Sequence, residues 1–164
     1  MSRTISRTEP TASAETKLAG VGRIAIIASA AGLVRVEFLA DASPRVPTAG
    51  TGAAARMRDR AVRELRSYPH GGKLTCPVVL HGIAPFALRV LNALRRVPRG
   101  RTVGYGELAA RAGSPKAARA VGNAMARNPI PLWIPCHRVL ACNGLGGFAG
   151  GLAVKRALLA MEST

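Results

Sequence analysis

Acidic and aromatic side chains are scarce in this sequence, and each shortage excludes something. Eight Asp and Glu stand against 24 Lys and Arg, for a formal net charge of +16. Aromatic residues make up 4% of the chain while hydrophobic residues reach 48%, so a core must be built mainly from aliphatic and small side chains. That profile belongs to a globular domain rather than to a disordered tail or a fibre. No apolar run reaches 18 residues, so a membrane-spanning helix is not expected. The opening stretch MSRTISRTEPTASAETK has charges and hydroxyls but no apolar segment. It reads as a flexible, solvated tail over residues 1–19 rather than a secretory signal. Cys76, Cys136 and Cys142 form an odd set without a CxxC pair. Free thiols in a reducing compartment are therefore expected, not a disulfide framework. A metal centre would need Cys76, His70 and His81 to converge; ordinary surface and strand positions account for them better, and no metal is expected.

Basic charge is what the chain has in excess, and it is concentrated. Residues 85–140 carry ten Lys or Arg and one acid, Glu107, whereas residues 1–84 carry twelve bases and six acids. Arg outnumbers Lys twenty to four, a bias that explains the choice of Arg but not the missing acids. A field of this sign attracts polyanions, of which nucleic acid is the commonest in a cell. A cytoplasmic, nucleoid-associated protein is expected.

Local patterning divides the chain near His81-Gly82, giving an N-terminal α/β domain over 20–82 and a mainly helical domain over 83–164. Gly22–Ser29 and the alternating stretch Leu33–Leu39 are predicted strands, with Ala31-Gly32 as the turn between them. Residues 53–68 have helical texture, with Met57, Ala61 and Leu65 on one face. Leu74–Leu80 is a further strand, held to an edge by Pro77. In the second half, Pro85–Val97 carries apolar residues at helical spacing and ends at Pro98-Arg99-Gly100. A short helix over Glu107–Ala112 stops at Gly113. Ser114-Pro115 then reads as the N-cap and first turn of a helix running to about Arg127. Two helices joined so tightly form a helix-turn-helix candidate. The second helix sets Ala117, Val121, Ala124 and Met125 on one face and Lys116, Arg119, Asn123 and Arg127 on the other. A solvated face is the ordinary reading of such a stripe. The lack of any acid in it favours a surface that meets phosphates.

The chemistry gathers at Pro135-Cys136-His137-Arg138. Prolines at 129, 131 and 135 forbid a helix and predict a stiff, extended approach to Cys136. A free cysteine among apolar neighbours is usually inert filling, and Cys76 reads that way. Cys136 differs, because basic neighbours favour the reactive thiolate and a histidine can take its proton. Two carboxylates are candidates to orient that histidine. Glu107 also suits the start of its own helix, and Glu162 lies on an apolar face with Val154 and Leu158. Between them runs NGLGGFAGG, whose glycines mean mobility or close backbone approach to a ligand.

The run PCHRV, the preceding NPIP, the upstream VGYGELAARAGSPKAARAVGNAMARN and the following GGFAGGLAVKRALLAME resemble the O6-alkylguanine-DNA alkyltransferase family, nearly continuously from Phe86 to Glu162. Residues 20–84 resemble it more loosely. The resemblance implies a ribonuclease-H-like α/β domain followed by a winged-helix-like domain containing the helix-turn-helix. It implies single-turnover transfer of an alkyl group from O6-alkylguanine, and from O4-alkylthymine, in double-stranded DNA to Cys136. His137 would act as base through a water, Glu162 would orient His137, and Asn128 would brace the turn. Tyr105 would press on the target phosphate and hydrogen-bond the leaving guanine, while Arg119 would fill the place of the flipped base. Lys116, Asn123, Arg127 and Arg138 would face the DNA. Tyr105, Val139, Phe148 and Ala149 would line the substrate pocket. No cofactor is implied, and the chain would act as a monomer, with cooperative binding to DNA left open.

Some positions depart from the family pattern. The glycine loop is one residue shorter than in many relatives, Phe148 stands where Tyr is common and Ala149 where Ser often occurs. Tyr68-Pro69 replaces a Tyr-Phe pair, and Leu91 a frequent Trp. Three rival readings fit the residues less well. A damage-flagging protein would lack the acceptor cysteine. A basic regulator would leave PCHR unexplained. A thiol redox or hydrolytic enzyme fits poorly with the basic surface and the missing CxxC.

Overall fold

The computed structural model describes residues 10–163. The chain separates into two compact units, Met1–Gly82 and Ile83–Thr164. No described helix is long and apolar enough to cross a membrane.

The first unit is an antiparallel meander of β1 (Ala12–Leu18), β2 (Gly22–Ser29) and β3 (Gly32–Leu39), with α1 (Gly52–Ser67) packed on it. β1 overturns the tail expected over residues 1–19; residues 1–9 lie outside the described residues. Ala12, Ala14, Thr16 and Leu18 are buried in strict alternation, and the strand pairs with β2 from Ala12↔Ala28 to Leu18↔Gly22. Small and polar side chains hide this two-residue period from hydropathy, and the neighbouring strand supplies the stabilisation. Glu15 then serves as a tie. It takes two hydrogen bonds from Arg23 at 2.7 and 2.9 Å and one from Arg45 at 2.7 Å. These cations hold its carboxyl at about 2, against the partial opposition of burial.

Gly32 opens β3 instead of sitting in the turn, which falls on Ala30-Ala31. A Cβ on Gly32 would stand 2.6 Å from the Pro77 carbonyl oxygen, so the glycine serves a close backbone approach. The strand expected over Leu74–Leu80 shrinks to one parallel bridge between Leu33 and Val78. Pro77 has no N–H to extend the ladder, and the amides of Thr75 and Cys76 donate to the Glu64 carboxylate at 2.7 and 3.0 Å. On α1 the buried face is Ala54, Arg58, Ala61 and Leu65, with Met57 only half-buried.

The second unit contains α2 (Pro85–Leu94), β4 (Val103–Gly104), α3 (Tyr105–Arg111), α4 (Ala118–Ala126), β5 (Val139–Leu140) and α5 (Gly151–Glu162). β4 and β5 pair in parallel, Val103 with Val139 and Gly104 with Leu140. Val90, Leu91 and Leu94 of α2, Leu108 of α3, Val121 of α4 and Leu158 of α5 are fully buried, so aliphatic residues make the core. α2 stops three residues short of Val97, which is buried in the following turn.

α4 starts at Ala118, not at Ser114. The amide of Ser114 donates to Ala109 and that of Gly113 to Ala110, both at 2.9 Å, with Gly113 at φ 78. This is a Schellman termination of α3, and it uses Ser114 before it can cap a second helix. Ala117 then turns back to the Ser114 carbonyl, leaving Lys116 on the connection. The apolar stripe of α4 packs inward at Val121, Ala124 and Met125, while Arg119, Asn123 and Arg127 are exposed.

Candidate active site

The approach to Cys136 is a buried turn rather than the expected extended segment. Ile134 donates back to the Ile130 carbonyl at 3.0 Å, and Leu132 takes φ 77. For a residue with a Cβ that conformation costs roughly 1–2 kcal/mol. Asn128 satisfies the backbone at both ends of the turn: Nδ2 donates to Ile134 O at 2.8 Å, and Oδ1 accepts from Ile130 N at 3.1 Å. Cys136 opens a 3-10 turn, Cys136–Arg138, which runs directly into β5. Its burial pushes the thiol above its ordinary value. The Asn128 side chain, nearby backbone amides and the Lys155 charge act in the opposite direction.

Behind the turn lies a buried polar network. His137 is 0% exposed, and its Nε2 is 2.6 Å from Glu162 Oε1. Arg138 donates through Nε to Oε2 at 2.8 Å and through Nη2 to Oε1 at 2.9 Å, while its Nη1 reaches Val97 O at 2.6 Å. The Gly100 amide also donates to Oε2, at 3.2 Å. A carboxylate paired with Arg138 can only accept, so the proton between it and His137 belongs to Nε2. His137 Nδ1 is then an acceptor, and this buried atom has no hydrogen-bond partner among the described residues. Burial lowers the His137 pKa; Glu162 opposes that, and Arg138 and Lys155 reinforce it.

In front of the turn is a cavity of about 290 Å³, at the small end of ligand pockets (roughly 300–1,000 Å³). Its walls are Tyr105, Cys136, Phe148 and Ala149, with Gly122, Met125 and Ala126 of α4 and Gly147 of the glycine loop. Apolar walls around one thiol suit a flat, uncharged ligand. Tyr105 is pressed against Gly146 of the glycine loop. A Cβ at Gly146 would come within 3.1 Å of both its ring and its hydroxyl, and Gly146 holds φ 69. Burial, and then the negative charge of an ionised Cys136, raise the Tyr105 pKa, so the phenol stays protonated. Phe148 meets the His137 ring edge-on, with centroids 6.4 Å apart.

Cys136, Tyr105, Phe148 and Ala149 thus share one cavity, while His137 and Glu162 lie behind the cysteine and Asn128 spans its turn. Arg119, Asn123 and Arg127 lie on the exposed face of α4, and Lys116 is exposed just before it. Two expectations fail. Arg138 is 8% exposed and fully engaged by Glu162 and Val97, so its guanidinium is a structural cation and not a DNA contact. Val139 is buried in the core and is not part of the cavity wall; its carbonyl accepts from Lys155. Lys155 itself was missed, along with Met125 and the glycines of the wall. Its one signal was spacing, since Lys155, Leu158 and Glu162 fall on one helical face. No group of His, Cys, Asp and Glu among the described residues could hold a metal ion.

Comparison with known proteins places this geometry in context. The family model for the DNA binding domain of 6-O-methylguanine DNA methyltransferase matches residues 85–164. A methylated-DNA–protein-cysteine methyltransferase of Methanosarcina acetivorans is 46% identical over 109 residues, 63% of this chain and 68% of that protein. The human protein of the same name is 54% identical over 79 residues, 47% of this chain and 38% of its own. The crystal structure of Mycobacterium tuberculosis OGT in complex with DNA superposes with a TM-score of 0.77 at 33% identity, covering 92% of both chains. With an archaeal relative matched over two thirds of its length and a solved structure matched over nearly all of its own, this chain belongs to the methylated-DNA–protein-cysteine methyltransferase family.

Proposed function

We propose that this protein repairs DNA by taking the alkyl group from O6-alkylguanine onto Cys136 and keeping it there as a thioether. The observation that carries the reading is the arrangement around Cys136. The thiol opens into a base-sized apolar cavity, and a neutral His137 tied to Glu162 at 2.6 Å lies behind it. A sulfur at the bottom of such a cavity reaches a base only when the nucleotide leaves the stack. The Cys136 proton passes through a water to His137 Nδ1, and the imidazolium formed is stabilised by Glu162. Sulfur then displaces guanine at the alkyl carbon, forming the C–S bond as the C–O bond breaks. Tyr105 donates its phenolic proton, or a hydrogen bond, to the departing base. The thioether has no easy reverse step, so each molecule acts once. O4-alkylthymine is a smaller substrate of the same chemistry.

The exposed face of α4 fits DNA, with Arg119 entering the gap left by the flipped base and Lys116, Asn123 and Arg127 meeting the backbone. We also infer the finer fold assignment. The β1–β2–β3 meander with α1 supports a ribonuclease-H-like domain, and α3, its Schellman turn and α4 support a helix-turn-helix of winged-helix type. The protein binds as a monomer to duplexes containing alkylated guanine. Transfer of labelled methyl from a duplex in excess tests the mechanism. Label should plateau at one methyl per protein molecule; continued turnover would rule out the suicide reaction.

A further inference from the structure

Lys155 is completely buried, an unusual fate for an ammonium group. Its three protons need acceptors there, and it has three. Nζ donates to Val139 O at 2.7 Å, to Leu145 O, and to Gly147 O at 3.3 Å. These carbonyls come from two separate segments. Val139 opens β5, immediately after the Cys136–Arg138 turn. Leu145 and Gly147 belong to the glycine loop, and Gly147 with Phe148 and Ala149 forms a wall of the cavity. A loop with so many glycines loses much conformational freedom on ordering, so it needs an anchor of this kind. One side chain on α5 therefore joins the strand behind the sulfur to the wall in front of it.

We propose that Lys155 is a positioning residue for alkyl transfer, fastening the cavity loop to the acceptor's strand and holding a positive charge near Cys136 as the sulfur becomes anionic. The role rests on Cys136 being the acceptor. The charge is felt in both directions: Lys155 favours the Cys136 thiolate, and that thiolate favours the charged form of Lys155 against the cost of burial. Other groups face the sulfur without supplying a net cation. Tyr105 from α3 is a neutral phenol, Asn128 after α4 is a neutral amide, His137 is a neutral imidazole, and Arg138 is paired to Glu162.

Two variants separate charge from packing. Lys155→Met keeps the length of the side chain without donors or charge, and Lys155→Gln keeps donors without charge. The pH dependence of Cys136 carboxymethylation by iodoacetamide, mapped by peptide to exclude Cys76 and Cys142, is compared with the rate of methyl transfer from an O6-methylguanine duplex. Both variants should raise the pH midpoint by about one unit and slow transfer about tenfold at neutral pH. Thermolysin should cut within residues 143–151 faster in Lys155→Met than in wild type. If Lys155→Met does not fold, Lys155→Gln carries the same comparison. A wild-type protein that takes up no methyl would overturn the acceptor reading and this one with it. An unmoved midpoint in variants of a protein that does take it up overturns the Lys155 role alone.

Discussion

Reaction at Cys136 depends first on where its proton goes. The buried thiol sits above its ordinary value, so spontaneous ionisation is disfavoured and a nearby base has to act. His137 is suited to that task because burial keeps it neutral below the usual histidine range. The sign of the pH dependence follows. Transfer should be insensitive to acid near neutrality and fall only as pH drops through the lowered His137 value, where Nδ1 is already protonated. A rate–pH profile breaking at or above the ordinary histidine value of about 6.5 would contradict this. Glu162 is the costlier residue to change. Glu162→Gln leaves the buried Arg138 without its anion, and a loss of about 3–5 kcal/mol is expected in denaturant unfolding. Transfer should fall about 10²-fold, the lower end for general-base action; a variant with unchanged stability would mean the Arg138–Glu162 pair is incidental. At this scale the sequence was uneven to read. Cys136 and His137 are adjacent, and their chemistry is visible in four letters. Glu162 stands 25 residues away, and an isolated lysine such as Lys155 usually lies in solvent, so only the fold brings them to the cysteine.

Among the elements, the proposed function gives α4 to DNA and the glycine loop to the substrate. Arg119 lies on the exposed face of α4 and takes no part in the buried network, so Arg119→Ala should leave the fold intact. Transfer from duplex DNA should drop about 5- to 100-fold, the cost of one lost stacking contact on the order of 1–3 kcal/mol. Transfer from the free O6-methylguanine base should stay the same, and equal losses on both substrates would remove Arg119 from the flipping step. In the first unit, Glu15 joins β1, β2 and the loop bearing Arg45. Its folded value of about 2 lies below the ordinary 4.5, so its contribution is complete above about pH 4.5 and is lost as pH falls towards 2. Glu15→Gln should flatten the acid limb of a stability–pH curve over that window; an unchanged limb would show that the ties do not act in solution. Element types were legible wherever apolar periodicity was strong, as in β2, β3, α1 and α2. The misses have local causes. β1 buries two Ala and a Thr before its one large apolar residue, Leu18; Thr75 and Cys76 of the Leu74–Leu80 segment give their amides to Glu64; and Ser114 is consumed in ending α3. Around Leu132 the prolines correctly excluded a helix, but nothing in the sequence marked a turn that needs a left-handed leucine.

For the whole molecule, a net charge of +16 predicts binding to DNA that weakens steeply with salt. Not every base is free to act: Arg23, Arg58 and Arg138 are buried and paired. The burial of Arg138 matters here, because a count of basic residues overstates the surface that meets phosphate. Lys116→Ala and Arg127→Ala should each lower the slope of log affinity against log salt by about 0.9, whereas Arg138→Met should leave the slope unchanged if it folds. Charge explains attraction to DNA but not repair, which rests on one sulfur. The most direct test is to incubate the protein with a duplex carrying a single O6-methylguanine and measure the mass of every cysteine peptide. The reading predicts one added methyl, on the peptide containing Cys136, with Cys76 and Cys142 unmodified. A folded, DNA-binding protein whose Cys136 peptide keeps its mass, or whose methyl appears on Cys142, would contradict it.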